Sequence, residues 1–517
     1  MKLPAKTFLI KGVSMRVNKQ NRWIPALLII AAVVAASAGI ALSYGDSPGS
    51  IPLQAVSDDS GGALIAWQEE KGIYVQHIDA SGKTLWQDGG ILVTEAGVKP
   101  DPYAPSWTSF SLIADGTGGA IITWDDKYKM PTDRNDPAFF NPVLFHSQRI
   151  SPQGELLWKD PVIASGSAGL YGGDFPVVVA DGTGGAIFAW NSYTTAYRAL
   201  HNDFLRLQKL DPDGKRMWGE QGKLLVSSSP YRPLTEEERA AGIKGTVIRS
   251  YPTYAGVHSI VSDGTGGVIV VWEEAGERNT NRVYARRLDS SGNAVWDETV
   301  LVGEGNLQEQ ILASDSSGGA TIGLLTDDFA GTAYLQHIDG SGELSGKYLY
   351  SHNMIGDGLG GSYRVRVDSA PSSGPPAQRR MILSVQRINP ALSFFWPEKQ
   401  VIATEQGYQL GNLEYTADGT GGIILLWQFQ KEFVAYGGTF AQRIDAGGNI
   451  RWGETGIAVF NEPDKYQANG TLIGDGSGGA LVIAVAGNNA IGGDMVYAQH
   501  LDAEGNRLWG DGIRIDR

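Results

Sequence analysis

Hydrophobic positions in this chain fall into two regimes. Residues 23–44 form one uncharged, largely apolar run. From about residue 52 onward the apolar runs shorten to four to eight residues and are bounded by Gly, Asp or Pro. Runs of that length, rich in Val, Ile and Trp and punctuated by turn residues, predict strands rather than 3.6-period helices. One stretch shows the order: apolar runs at 111–114, 120–124, 143–150 and 156–163 follow one another, with a D-G-T-G-G turn between the first two.

That unit recurs eight times. Its turn begins at Asp58, Asp115, Asp181, Asp263, Asp315, Asp357, Asp418 and Asp475, at intervals of 42 to 82 residues. A repeat of this size is one supersecondary unit that must stack on its neighbours to bury its faces. Four strands per unit and eight units predict an all-β, eight-bladed β-propeller of four-stranded antiparallel blades over 52–517, within the ~4–8 blades such rings commonly have. Twelve of the 14 Trp residues obey the register: Trp67, Trp124, Trp190, Trp272 and Trp427 end second strands. Trp86, Trp158, Trp218, Trp296, Trp396, Trp452 and Trp509 are expected to start fourth strands. Regular aromatic slots read as packing between blades, since one buried Trp removes ~150–250 Å² from water.

The segment YVQHIDASGKTLW (74–86) and its copies resemble the tryptophan-docking segment of quinoprotein-type eight-bladed propellers, with Asp79, Gly82 and Trp86 in matching roles, a turn one residue shorter and no Thr. The full unit, ADGTGGAIITW followed by QRISPQGELLW, resembles the Trp-rich repeats of exported bacterial and archaeal propellers. The resemblance implies the fold. The quinone-cofactor activity does not carry over, because no cofactor site can be placed, and no cofactor is expected.

Six basic residues precede the long apolar run and Asp46 follows it. Its length suits a bilayer core of ~30 Å, and the charge bias puts residues 1–22 in the cytoplasm and the repeats outside. The expected organisation is a basic segment, a transmembrane signal anchor at 23–44, a linker at 45–51 and the propeller. A cleaved signal peptide, with small-residue sites at Ala36-Ser37-Ala38 or Ala41-Leu42-Ser43, is the alternative and would leave the protein secreted. Overall the chain is net −14, yet its first 50 residues are basic, so the exported part is strongly acidic. Nucleic acid is therefore not an expected partner. The absence of Cys rules out disulfides and thiolate sites.

Chemistry is harder to place. The D-G-T-G-G turn reads as a tight hairpin in which Asp bonds its own backbone and Gly supplies positive φ. His77, His337 and His500 share a third-strand slot with Arg149, Lys209, Arg387 and Arg443, which reads as a solvated strand face, so no metal site is expected. No G-x-S-x-G elbow, H-E-x-x-H helix or P-loop is present.

Antiparallel order puts the tight turns on one face of the disc and every long insertion on the other: 125–142, 191–203, 227–258 and 428–439. Long loops on a rigid scaffold are where function usually sits. Candidate binding residues there are Tyr128, Arg134, Tyr193, Tyr197, Arg198, Tyr231, Arg232, Tyr251 and Tyr254, with Tyr103, Trp107, Phe139, Phe140, Tyr171, Phe175 and His258 nearby in sequence. The stretch PLTEEERAAG (233–242) reads as a short helix. The residue after each second-strand Trp is polar (Gln68, Asp125, Asn191, Glu273, Gln428), which predicts a polar ring at the channel mouth, either a ligand site or a solvated rim. Tyr and Arg enrichment suits a protein or glycan ligand. The expected function is a binding scaffold; the alternatives are a glycan hydrolase or lyase using loop carboxylates, and a structural envelope component.

Overall fold

The structure is a computed structural model, and it describes residues 53–58, 60–69, 71–95, 109–125, 144–166, 175–194, 202–228, 231–232, 247–248, 255–275, 281–305, 307–315, 317–326, 332–351, 354–356, 362–369, 381–388, 394–396, 400–403, 408–431, 437–460, 466–487 and 495–516. The expected membrane span and the short helix at 233–242 lie outside these residues. Among the described residues there is no helix.

Eight four-stranded antiparallel sheets follow one another along the chain, each built from consecutive strands. The first comprises Leu53–Ser57, Ala63–Glu69, Gly72–Ile78 and Ile91–Thr94; the eighth comprises Tyr466–Gly474, Ala480–Gly487, Met495–Leu501 and Ile513–Arg514. A two-stranded ribbon, Tyr231–Arg232 with Val247–Ile248, interrupts the passage from the third sheet to the fourth. The first strand of each sheet lies beside the first strand of the next, and that of the eighth lies beside that of the first. The sheets thus close into a propeller-like ring with first strands innermost, and no strand is exchanged between the first and last sheets.

The second strand of the first sheet is buried on both sides, which is why it reads as an unbroken apolar run. In the first sheet Ala63, Ile65 and Trp67 pack with the eighth sheet. Leu64 and Ala66, on the opposite side, pack with the second sheet. Equivalent clusters fill the junctions of sheets two and three, three and four, four and five, six and seven, and seven and eight. Among the described residues none fills the junction of sheets five and six.

The later Trp, present in seven of the eight units, does not start the fourth strand. It sits in the turn before it: Trp158 precedes Val162–Ile163, and an isolated bridge between Ile150 and Leu156 forms the turn. From there the indole reaches the next sheet. Trp86, Trp158, Trp296, Trp396 and Trp452 donate Nε1–H to the carbonyls of Pro152, Pro212, Gly340, Ala446 and Ala503 at 3.0–3.1 Å. Trp509 closes the ring on Ala80 at 3.2 Å. Beneath it lies Gly82, with φ +86° and room for nothing larger, since a Cβ would come within 2.8 Å of the indole. Only Gly allows both that conformation and that approach.

Candidate functional site

The tight-turn face uses its polar groups on itself. In the second sheet Asp115 Oδ1 accepts the N–H of Thr117 at 2.8 Å and of Gly119 at 2.9 Å, while Oδ2 takes Arg149 Nε at 2.8 Å. The arrangement recurs as His77–Asp58, Lys209–Asp181, Arg287–Asp263, His337–Asp315, Arg443–Asp418 and His500–Asp475, at 2.8–3.2 Å. The third-strand slot is therefore not a solvated face. In seven of the eight sheets its Arg, Lys or His side chain meets the turn carboxylate of the same sheet, and several members are buried: His77, Lys209, Arg443 and His500 are all below 10% exposed.

These pairs also seal the junctions. Arg149 and Trp158 donate to one carbonyl, Pro212 O; Arg287 and Trp296 share Gly340 O; Arg443 and Trp452 share Ala503 O. Burial opposes ionisation of Asp58, but the His77 ring and the Ser60 and Gly62 amides outweigh it and hold the carboxyl at about 2. With both oxygens committed to protein donors, the turn is a structural clasp.

On the opposite face most of the expected ligand residues (Tyr128, Arg134, Tyr197, Arg198, Tyr251 and Tyr254, with Tyr103, Trp107, Phe139, Phe140 and Tyr171) lie outside the described residues. Tyr193 stands on the strand Ala186–Thr194 opposite Asp203, and Tyr231 and Arg232 form one side of the ribbon opposite Ile248 and Val247. His258 falls at a bulge in Ala255–Ser262.

The five polar residues after the second-strand Trp occupy equivalent positions, but they do not form a solvated rim. Gln68 and Asp125 are fully buried, Gln428 is 1% exposed and Asn191 4%. They stand one strand out from the ring's centre, in five different sheets, so the structure does not gather them into one pocket. By strand alternation each faces the next sheet rather than the channel. Gln428 Nε2 donates to Thr439 Oγ1 at 3.4 Å. Glu273 accepts from Asn281 Nδ2, and burial pushes its carboxyl up to about 7.

A second buried acid escaped the sequence reading. Glu414, on the innermost strand Tyr408–Ala417, accepts the N–H of Leu472 in the next sheet at 2.8 Å, and burial, only partly offset by that bond, raises it to about 8. Gln54 holds the matching place in the first sheet, donating to Phe110 O at 2.7 Å and accepting from Leu112 N at 2.8 Å. Both sit four residues before the turn Asp, a fixed position at which a bridging side chain could have been sought. Among the described residues no group of three His, Asp or Glu side chains could hold a metal ion.

No family model matches the chain, and no curated protein matches it. Among solved structures it is similar to an ulvan lyase of a polysaccharide lyase family, with 12% identity, a TM-score of 0.40 and coverage of 77% of this chain and 92% of that one. It is also similar to the β-propeller domain of the trilobed protease from Pyrococcus furiosus (9% identity, TM-score 0.34, 66% and 98%). A further likeness is to a microbial sialidase (11% identity, TM-score 0.30, 82% and 70%). Similarity at this level transfers no activity.

Proposed function

We propose that the protein is an eight-bladed propeller carried outside the cytoplasm by a membrane anchor at residues 23–44, and that it is a scaffold binding a protein or glycan ligand on its long-connection face. The carrying observation is the inequality of the two faces. One is made of tight turns whose carboxylates, amides and cations are paired with each other. The other receives every long connection, including the Tyr231–Arg232 ribbon. The test is a glycan array and a pull-down with the intact chain, repeated after replacing residues 233–246 with a short Gly-Ser link. Binding lost in that variant supports the reading; binding unchanged in it, or absent from the parent, overturns it.

One observation favours a second reading, a glycan hydrolase or lyase. Glu273, at the long-connection end of its strand, holds its proton to about pH 7, as a general acid must. Glu273→Gln abolishing polysaccharide turnover, with the fold intact, would establish it.

A further inference from the structure

Seven sheets pair a turn Asp with a third-strand Arg, Lys or His, and in sheet five a third group joins the pair. His337 Nε2 lies 3.2 Å from Asp315 Oδ2, and His337 Nδ1 lies 3.3 Å from Ser345 Oγ. Ser345 stands on the fourth strand, Leu344–Ser351, directly opposite His337 on the third, Thr332–Ile338. Cross-strand partners put their side chains on one face about 5 Å apart, so the pairing itself brings the hydroxyl to the ring. The other seven sheets carry Leu, Met, Val, Phe or Arg at the place of Ser345, immediately before the docking Trp.

His fills the third-strand slot in three sheets, which allows a direct comparison. In sheets one and eight the docking Trp packs edge-on against the ring, at 5.6 Å from His77 and 5.5 Å from His500. Those His side chains are 8% and 6% exposed. In sheet five Gly346 holds the place of that Trp. The His337 side chain is 27% exposed, and Ser345 beside it is exposed. A clasp that is buried elsewhere is here within reach of a solute.

The protonation pattern follows from the partners. Burial opposes ionisation of Asp315, but the Ser317 and Gly319 amides, the Ser317 hydroxyl and His337 outweigh it and hold the carboxyl below its ordinary value. An ionised carboxylate only accepts, so the imidazole donates from Nε2 and leaves Nδ1 to accept the Ser345 hydroxyl. A hydroxyl bonded to a neutral imidazole whose other nitrogen is fixed by a carboxylate is an activated nucleophile. Relative to the usual serine-hydrolase arrangement the two ring nitrogens change places, and either can take the proton.

We propose that Ser345 is an acyl-accepting nucleophile, with His337 as its base and Asp315 positioning the ring, and that its substrate is an acyl ester. Ser345 Oγ attacks the ester carbonyl as its proton passes to His337 Nδ1. Collapse of the adduct breaks the bond to the alcohol oxygen, which leaves with that proton, and the acyl group stays on Ser345. Water then attacks, giving a proton to the same nitrogen, which returns it to Ser345 Oγ as the acid leaves. The site lies on the tight-turn face and does not rest on the ligand-binding reading of the opposite one.

The test is exposure of the intact chain to an alkyl fluorophosphonate, which loses fluoride to an activated serine, and separately to p-nitrophenyl acetate, with adducts located by peptide mass spectrometry. One adduct per chain is expected, at Ser345, formed about a hundredfold more slowly in His337→Arg, as loss of a general base requires. That variant keeps the clasp, since Arg149, Arg287 and Arg443 fill the slot in other sheets. Ser345→Leu, the residue of sheets one, two and eight, should abolish labelling at an unchanged melting temperature. Asp315→Asn should slow labelling and move the imidazole proton to Nδ1, read by nitrogen-15 NMR; an undiminished rate takes Asp315 out of the site. No adduct at Ser345 with either probe, or labelling undiminished in His337→Arg, overturns the proposal.

Discussion

Two junctions of the ring deserve to be set side by side: that between sheets eight and one, and that between sheets five and six. Both are made by the same repeat. At the first, Trp509 and His500 reach Ala80 O, Gly82 lies flat beneath the indole, and an apolar cluster including Leu53, Ile65, Trp67 and Ile483 fills the space. At the second, Gly346 and Leu392 replace the indole and its Gly platform, and Arg364 and Arg366 take the slots of Ile65 and Trp67. The sixth sheet keeps the strand pairing of the first while exchanging the side chains on one of its sides, which line a cleft. Sheet formation and sheet-to-sheet sealing are thus separable: the backbone ladder specifies the first, and a few side-chain positions specify the second.

The sharpest way to break the contrast is at the sealed junction. Trp509→Ala removes a docked, buried indole and should lower unfolding free energy by about 3–5 kcal/mol in chemical denaturation. An equal loss from Arg366→Ala, at the second junction, would erase the distinction. Next comes the clasp: Asp418→Asn leaves Arg443 buried without its carboxylate and should cost about 3 kcal/mol, whereas Arg366→Met, in the cleft of sheet six, should change stability by less than about 0.5 kcal/mol.

The third is a matter of pH. Glu414 keeps its proton in the fold to about 8, against an ordinary 4.5. The folded state binds the extra proton between those values, so the stability attached to it is lost as pH rises through that range. Glu414→Gln, which supplies the amide already present at Gln54, should raise the melting temperature above pH 8 and leave it unchanged below pH 4.5. Because the residue keeps some exposure, the gain at pH 9 should be about 2 kcal/mol rather than what the whole shift would give. The smallest effect is Arg366→Trp alone, which should stabilise the second junction by about 1 kcal/mol if the indole finds its place.

Much of the architecture was legible because the repeat states it eight times: the turn Asp gives the strand order, and the Trp register gives the packed sides. The pairing of Asp115 with Arg149 was not legible, although both slots were visible, because a strand pattern shows which side a residue takes but not what reaches over a turn to meet it. The polar residues Gln68 and Asp125 misled for a related reason. Their place at the end of a second strand suggested a rim, but the neighbouring sheet covers that end. Arg364 and Arg366 were the reverse case: the substitution of Ile and Trp by Arg stood in the sequence, yet only the strand pairing shows that they take the slots of Ile65 and Trp67.

The ring also distributes its weaknesses. Sheets eight and one are not joined directly by the chain, and there the docking is complete; sheets five and six lack the docking Trp, and there only residues 352–353 separate the two sheets in sequence. A covalent break and a packing break never coincide. A circular permutant that joins the two ends of the ring and opens the chain at 352–353 would superimpose them, and the disc should then spring apart at that point like a washer cut through its rim.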